Sequence, residues 1–316
     1  MAEGRPVAPV RWSEDLASLR NPALGAIDGL AESWSAERSL ELFRRMCLIR
    51  NFDLRARQTQ LDKDLAGLIY LSVGQESCAA GVSMAMKGSW LLGQHRGHSH
   101  YLAFGGRPER LVDELLGMAS GCCGGMGGSP PIHDFERRIV GHNGLIGDQV
   151  PVAVGMALGT GEKVVTVFGD GAGEEDYVLA SMGMAGSRRL PMLFVCEDND
   201  LSVLTPTRDR RTWRSVEVAK SFGLEAVDIA DDPWLVAHWA ETLKDRLPAL
   251  INVRTCRGLW HVGTGSDNNA DWDRWALVKN KLSDLGLLGQ AEAIERETIE
   301  SVEKLWTSRL QTRSGN

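Results

Sequence analysis

The most informative stretch of this sequence is Lys163-Val164-Val165-Thr166-Val167-Phe168-Gly169-Asp170-Gly171-Ala172 (KVVTVFGDGA). Its first six residues are rich in β-branched side chains, a pattern that predicts a buried strand. The Gly-Asp-Gly that follows predicts a turn at the carboxyl end of that strand, where open α/β sheets bind their ligands. Glycines there let backbone amides face a phosphate, and Asp170 is a hard oxygen ligand suited to Mg²⁺.

A second apolar run, residues 192–196 (MLFVC), follows a predicted helix at 175–187 and ends at Glu197-Asp198-Asn199-Asp200. Asn199 lies 29 positions after Asp170. One strand–helix–strand crossover takes about 30 residues, so both side chains can return to the same sheet edge. An Asp and an Asn at that edge can clamp one cation against a diphosphate. The alternative is two unrelated turns.

The same alternation continues toward the carboxyl end of the chain. Short strands are predicted at 226–229 and 250–253, with a helix at 233–247 between them, and residues 272–310 have an amphipathic helical pattern. This order predicts an α/β fold, a doubly wound parallel sheet with flanking helices.

Toward the amino end the periodic pattern disappears. Residues 1–34 carry scattered Pro, Gly and Ser, and we interpret them as an N-terminal arm. Ser35 can cap a long helix, and residues 35–316 are predicted to form one domain with a helical C-terminal region. Glycine is dense from 67 to 161, above all at 121–128 (GCCGGMGG), where it predicts close approach of the backbone to a ligand or to another backbone.

Composition excludes several classes of function. The 316 residues carry 35 basic and 42 acidic side chains mixed along the chain, so neither a nucleic-acid groove nor a charged tail is expected. No apolar run reaches the ~18 to 20 residues that span a bilayer. The six cysteines form no CxxC pairs, which favours a reduced, cytoplasmic setting. For the adjacent Cys122-Cys123 pair we favour packing, with redox chemistry as the alternative.

The Gly-Asp-Gly and the distant Asn resemble the thiamine-diphosphate motif, and the surrounding sequence from about 49 to 287 resembles one branch of that superfamily. This branch is the alpha subunit of the 2-oxo-acid and acetoin dehydrogenases. The segments that carry the resemblance are 71–76 (LSVGQE), 95–98 (HRGH), 127–129 (GGS), 143–147 (NGLIG) and 255–257 (TCR) with His261.

The resemblance implies a thiamine-diphosphate-binding fold and a role for each matching residue. It implies that Mg²⁺ is bound by the side chains of Asp170 and Asn199 and by the Leu201 carbonyl. The residues that it places on the cofactor are Arg96, His95, Gly144, Ile146, Gly169, Gly171, Ala172 and His261. His261, His95 and His133 are the candidate catalytic residues, because histidine transfers protons near neutral pH.

Three departures from the family pattern bear on these roles. Tyr70 stands where the family has a His before its GQE element, and Pro131 stands where it has the His of GGSMH, which His133 would replace after a loop shift. The helix after the Gly-Asp-Gly reads ASMG at 180–183 instead of Glu-Ala-x-Asn. His95, in place of a family Tyr, is either a new proton donor or a phosphate ligand.

Other polar residues received a structural interpretation or stayed open. His98 and His142 are further candidates, whereas His100 and His238 are assigned to structure. The acids at 174–176 are interpreted as a solvated helix start, which favours negative charge.

The resemblance implies an enzyme that decarboxylates a 2-oxo acid and passes the acyl group to a lipoyl domain, or that cleaves acetoin. The missing histidines favour an alternative, a transketolase-like carboligase that moves a two-carbon unit to a sugar or carrier-protein acceptor. A degenerate regulatory subunit is a third reading, against which the intact Asp170, Asn199 and Arg96 argue. In this family the pyrimidine-activating Glu comes from a beta-type subunit, so an alpha2-beta2 heterotetramer is expected.

Overall fold

The computed structural model describes residues 21–65, 67–267 and 272–314. The α-helices are α1 (Ala36–Leu61), α2 (Glu76–Ala85), α3 (His98–Ala103), α4 (Pro108–Leu115), α5 (Gln149–Thr160), α6 (Asp176–Arg188), α7 (Ser215–Ser221), α8 (Pro233–Leu243), α9 (Arg274–Asp284) and α10 (Leu288–Ser314). The strands are β1 (Trp90–Leu92), β2 (Ile139–Val140), β3 (Val164–Gly169), β4 (Met192–Asp198), β5 (Leu201–Ser202), β6 (Thr205–Pro206), β7 (Glu225–Ala230) and β8 (Ala249–Arg254).

Six of these strands form one parallel sheet in the order β2-β1-β3-β4-β8-β7. The two strands predicted from the apolar runs, β3 and β4, lie at its centre. Every residue of β4 is buried, which explains why its first five residues are continuously apolar instead of alternating. The predicted doubly wound α/β fold is confirmed.

Helices cover both faces of the sheet. Val165 and Val167 of β3 pack into a core with α1, α2, α8 and α10, whereas Val164 and Phe168 of the same strand pack into a second core with α5, α6 and α7. The period of two along a strand directs alternate side chains to opposite faces. The same central strands therefore contribute side chains to the cores on both faces of the sheet. Their carboxyl ends lie between the two helix layers.

The GQE element at residues 74–76 lies at the start of α2. Residues 71–75 form no strand, and Glu76 begins the helix. Gly74 has a φ of 97°, and a Cβ there would lie 2.6 Å from the Cys256 carbonyl oxygen. The glycine therefore lets the 256–258 backbone pass directly over this turn.

The glycine-dense segment wraps around a carboxylate. The amides of Cys123 and Gly125 donate to one oxygen of Glu114, and those of Gly127 and Gly128 donate to the other. Glu114 belongs to α4 and is 1% exposed. The predicted close approach to another backbone is present as well, since a Cβ on Gly125 would lie 2.5 Å from the Gly117 carbonyl carbon and one on Gly127 would lie 2.2 Å from the Pro131 carbonyl oxygen.

The beginning and the end of the described chain pack onto the same body. Residues 21–34 of the predicted arm form turns, and the Leu24 carbonyl accepts a hydrogen bond from Ala230 in β7. Residues 1–20 lie outside the described part. Helix α10 packs along α1: Phe52 and Trp306 meet with ring centroids 5.5 Å apart, and Arg55 pairs with Glu303 at 2.9 Å.

Two further expectations concern the whole chain. Among the described residues, no helix combines the length and the apolar character that crossing a membrane requires. All six cysteines lie in the described part and are free thiols.

Candidate functional site

A cavity of about 120 Å³ opens at the carboxyl ends of β3 and β4. From β3 the chain continues to its neighbour β4 on one side, while β1 lies beside β3 on the other side. Open α/β sheets bind their ligands at such a switch point. Its lining residues are Gln94, His95, Arg96, His142, Ile146, Gly147, Gln149, Gly169, Asp170, Gly171, Ala172, Glu197, Asn199, Leu201, Ser202, Val203 and His261.

The three residues predicted to bind a cation all line this cavity. Asp170 follows β3 directly and is 2% exposed. Asn199 follows β4; its Oδ1 accepts from the Leu201 amide at 3.1 Å, and its Nδ2 donates to Gln75 Oε1 at 3.3 Å. Burial and the charge of Asp198 raise the pKa of Asp170 to about 6. A positive charge bound beside Asp170 would therefore stabilise the ionised form of its carboxylate.

In this structure Arg210 supplies that charge. One of its nitrogens donates to the Asp170 carboxylate, and the other donates to Glu174. Arg211 lies 3.3 Å from the same oxygen of Glu174. The interpretation of residues 174–176 as a solvated helix start is therefore wrong for Glu174, which pairs with both arginines, whereas α6 begins at Asp176.

The turn after Asp170 is shaped for close contact. A Cβ on Gly171 would lie 2.6 Å from Ser202 Oγ, so a larger residue would not fit beside β5. Ala172 begins a single 3-10 turn, Ala172–Glu174, and lines the cavity with Gly169. These residues present backbone to the cavity, which suits an anion that needs amide donors.

Arg96 lies on the opposite wall and is 3% exposed. It donates to the carbonyl oxygens of Leu71 at 2.5 Å and His261 at 3.0 Å. Burial and the charge of Arg257 lower the pKa of Arg96 to about 10, which still leaves it charged at neutral pH. The Arg96 guanidinium therefore holds the His261 backbone beside the cavity and adds positive charge to the cavity wall.

Three imidazoles line the cavity, and the phenol ring of Tyr70 packs against two of them. The ring centroid of His95 lies 5.1 Å from those of Tyr70 and His261 and 5.9 Å from that of His142. Burial and Arg96 lower the pKa of His95 to about 2 and that of His261 to about 4. Both rings are neutral at pH 7, and each can therefore donate one N–H and accept at the other nitrogen.

A buried series of hydrogen bonds fixes the backbone beside these rings. Asp53 of α1 bonds His98 Nδ1 at 2.7 Å, and His98 Nε2 bonds Ser129 Oγ at 2.9 Å. The Tyr70 amide donates to the same Ser129 oxygen at 3.0 Å. Although the order resembles an Asp-His-Ser relay, Ser129 is 1% exposed. This series of hydrogen bonds fixes Tyr70 and the glycine-rich loop, and it offers no nucleophile to a ligand.

Two predicted site residues lie elsewhere. His133 does not line the cavity; its Nδ1 accepts from the Gly141 amide at 3.0 Å, and its ring stacks on Phe135. It does not take the place of the histidine that Pro131 replaces. Gly144 is also absent from the lining, although Ile146 and Gly147 beyond it are present.

Four polar lining residues were missed: Gln94, Gln149, Glu197 and Ser202. Two of them had a sequence signal, since Gln94 precedes the HRGH segment and Glu197 directly follows the second apolar run. Gln149 and Ser202 had none, because they lie outside the segments that carry the resemblance. His142, one of the open candidates, lines the cavity as well.

The cavity fits a magnesium diphosphate. It combines the Asp170 carboxylate, the Asn199 amide oxygen and a backbone turn of glycines, which together match the oxygen ligands and amide donors that such a group needs. Buried polar atoms on its wall are also free to bind a ligand: His95 Nε2 and His142 Nδ1 have no hydrogen-bond partner among the described residues.

Comparison with known proteins agrees with this geometry. The family described as "Dehydrogenase E1 component" matches residues 44–262. The alpha subunit of acetoin:2,6-dichlorophenolindophenol oxidoreductase from Cupriavidus necator is 29% identical over 87% of this chain and 90% of its own length. The pyruvate dehydrogenase E1 component subunit alpha of Zymomonas mobilis is 30% identical over 71% of this chain and 68% of its own. The Bacillus subtilis acetoin relative is 29% identical over 86% and 89%.

Proposed function

This chain belongs to the dehydrogenase E1 component family, and on that premise we propose that it is the alpha subunit of a thiamine-diphosphate-dependent, two-subunit enzyme that acts on a 2-oxo acid or on acetoin. The observation that carries the proposal is the convergence of Asp170, Asn199 and Leu201 with Arg96 on one cavity at the sheet edge. The names of the relatives, dehydrogenase and oxidoreductase subunits, favour this reaction over the carboligase alternative.

We propose that Mg²⁺ is held by the Asp170 and Asn199 side chains and the Leu201 carbonyl, and that Arg96, Gly169, Gly171 and Ala172 hold the diphosphate. Arg210 competes with the cation for this carboxylate, because one oxygen of Asp170 now accepts from the guanidinium. We propose that the Ile146 amide and the Gly144 carbonyl hydrogen-bond the aminopyrimidine; of these two residues, Ile146 lines the cavity.

Thiamine diphosphate supplies an electron sink for cleavage of a bond next to a carbonyl. The residues of this chain bind, orient and move protons around it. His95 and His261 line the cavity as neutral imidazoles, so each can donate a hydrogen bond to, or accept one from, a substrate oxygen. Tyr70 packs against both rings and limits their orientation.

A beta-type partner is part of the proposal, because the described residues offer no acid suited to activating the pyrimidine. Glu76 is fully buried and pairs with Arg50 at 2.9 Å, away from the cavity. Glu197 lines the cavity but accepts from Gln94. An alpha2-beta2 assembly in which the partner supplies the glutamate is therefore proposed.

Exposed apolar side chains support the partner. Beside the lining residues, Leu145, Val203, Leu204 and Trp260 are 50% to 76% exposed. On α5, Val152 and Leu158 are about half exposed, and Gly155 and Gly159 leave open space where a Cβ would be. Large apolar patches mark association surfaces, and bare glycines on a helix let another backbone come close.

Co-expression with a beta-type chain tests the proposal. The purified complex is assayed for thiamine-diphosphate-dependent reduction of dichlorophenolindophenol with pyruvate, branched 2-oxo acids and acetoin, and products are identified by mass spectrometry. Acyl transfer to an added lipoyl domain is scored separately and tests the lipoyl acceptor. Ketose-dependent two-carbon transfer without dye reduction would contradict the proposed reaction.

A further inference from the structure

A second group of ligand-type side chains lies behind the cavity, deeper in the core. Cys78 of α2, His100 of α3 and Glu197 of β4 each offer one ligand atom, and these atoms all lie within 4.8 Å of one another. The exposed fractions of these residues are 0%, 0% and 1%. The cofactor proposal assigns no role to this cluster.

The polar atoms of the cluster are poorly satisfied. Both ring nitrogens of His100 and Oε1 of Glu197 are buried without a hydrogen-bond partner among the described residues. Nε2 of His100 lies 3.2 Å from that oxygen, but the contact lacks hydrogen-bond geometry. Buried polar atoms are rarely left unpaired in native cores, so three that converge with a thiol on one point call for a common explanation.

The chemistry of the three groups selects a class of ligand. Thiolate and imidazole prefer zinc and similar transition-metal ions, whereas Mg²⁺ prefers oxygen ligands alone. A thiolate and a carboxylate together carry two negative charges, so a divalent ion bound by them with a neutral imidazole leaves no net charge in the core. Two anions and one imidazole resemble the protein ligand sets that bind Zn²⁺ and leave a fourth position open.

We propose that Cys78, His100 and Glu197 form a binding site for a soft divalent transition-metal ion, with Zn²⁺ as the natural occupant. Binding forms one metal–sulfur bond and releases the thiol proton of Cys78 to solvent. Because the ligand is the thiolate, the affinity for the metal increases with pH.

The site would join three elements at the base of the cavity. Glu197 is the member that also lines the cavity, and its other oxygen accepts from Gln94, a second lining residue. The cavity is therefore the side from which the ion and a water ligand enter. Glu197 stands two positions before Asn199, so the proposed ion would fix the end of β4 that carries the Mg²⁺ ligand.

The test uses the chain purified with its beta-type partner, with thiamine diphosphate and excess Mg²⁺ present to saturate the cofactor cavity. Zn²⁺ content is measured by elemental analysis, and a metal-stripped sample is titrated with Co²⁺. We expect about one Zn²⁺ per chain and a near-ultraviolet sulfur-to-cobalt absorption band. A wild-type complex that takes up neither ion in this way would overturn the proposal without any variant.

Variants then locate the site. Cys78→Ser is expected to lose the cobalt–sulfur band, and His100→Gln to weaken Zn²⁺ binding at least about tenfold. Cys47→Ser is the matched control, since Cys47 is equally buried but lies outside the cluster, and it should keep both properties. A band that survives in Cys78→Ser and disappears in Cys123→Ser would place the metal on the half-buried cysteine pair and contradict the assignment.

Discussion

Asp170 is the residue on which the cation proposal depends most directly. We expect Asp170→Ala to abolish Mg²⁺-dependent binding of thiamine diphosphate, because the variant lacks the only carboxylate in the proposed ligand set. Isothermal titration of the complex with its partner measures the affinity. The control is Asp176→Ala, since Asp176 is exposed at the start of α6. Equal cofactor affinity in wild type and Asp170→Ala would rule out this metal assignment.

Arg210 competes with the cation for the same carboxylate. Removing it by Arg210→Ala should tighten the binding of Mn²⁺ alone about tenfold, since a hydrogen bond to a charged group contributes about 1.5–3 kcal/mol. Free Mn²⁺ is followed by electron paramagnetic resonance without cofactor. Arg208→Ala, at a side chain 65% exposed, is the control. Weaker Mn²⁺ binding in Arg210→Ala would mean that the arginine assists the metal instead.

His95 should make the fold sensitive to acid. Its pKa is lowered from 6.5 to about 2, so below pH 6.5 the unfolded chain binds a proton that the folded chain does not. The stabilisation is therefore present above pH 6.5 and is lost as pH falls, by up to about 1.4 kcal/mol per pH unit. Urea unfolding at pH 5, 6 and 7 should show a shallower slope for His95→Asn than for wild type or for His238→Asn. Identical slopes would contradict it.

Single residues were predictable where the backbone pattern fixed their place. Asp170 and Asn199 follow apolar runs, and parallel strands bring such positions together. Arg210 was not predictable, because it comes from an irregular segment whose path depends on the tertiary structure. His133 was misplaced for the same reason: the loop around it is set by Glu114 and Cys123, which no spacing in the sequence reveals.

At the level of elements, the glycine-rich loop depends on one side chain. Glu114→Ala removes the acceptor of four amides and should destabilise the protein by at least about 3 kcal/mol, comparable to breaking a buried ion pair. Thermal unfolding measures the loss, and limited proteolysis should cut within residues 121–128. Glu109→Ala changes an exposed residue of the same helix. If both variants were equally resistant to protease, Glu114 would not organise the loop.

The helix capped by Ser35 and the strands β3, β4, β7 and β8 were predicted from the sequence, whereas the shortest strands were not. The helix capped by Ser35 begins where the cap predicts, and its hydroxyl accepts from the Arg38 amide. Strands β1 and β2 have three and two residues, too few to show a period of two. They join the sheet because β3 offers an edge beside β1, a tertiary cause that a local pattern does not contain.

For the whole molecule, the central prediction is that this chain is inactive without a partner subunit. We expect the purified chain, with saturating cofactor and Mg²⁺, to show no turnover, and activity to appear when a beta-type subunit is added. Within the described residues, the cavity wall has no glutamate besides Glu197, which Gln94 engages. Steady-state dye reduction measures the result. Sustained turnover by the chain alone would require the activating acid to be found within this sequence.

The pairing of α1 with α10 has a consequence for the order in which the molecule is made. Arg55 and Glu303 are 248 residues apart. At roughly 5–20 residues per second, a ribosome needs roughly 12 to 50 s to travel between them. During that time the side of α1 that receives Trp306 has no covering helix. Folding of this layer therefore finishes late, and the nascent chain is expected to need a chaperone in the interval.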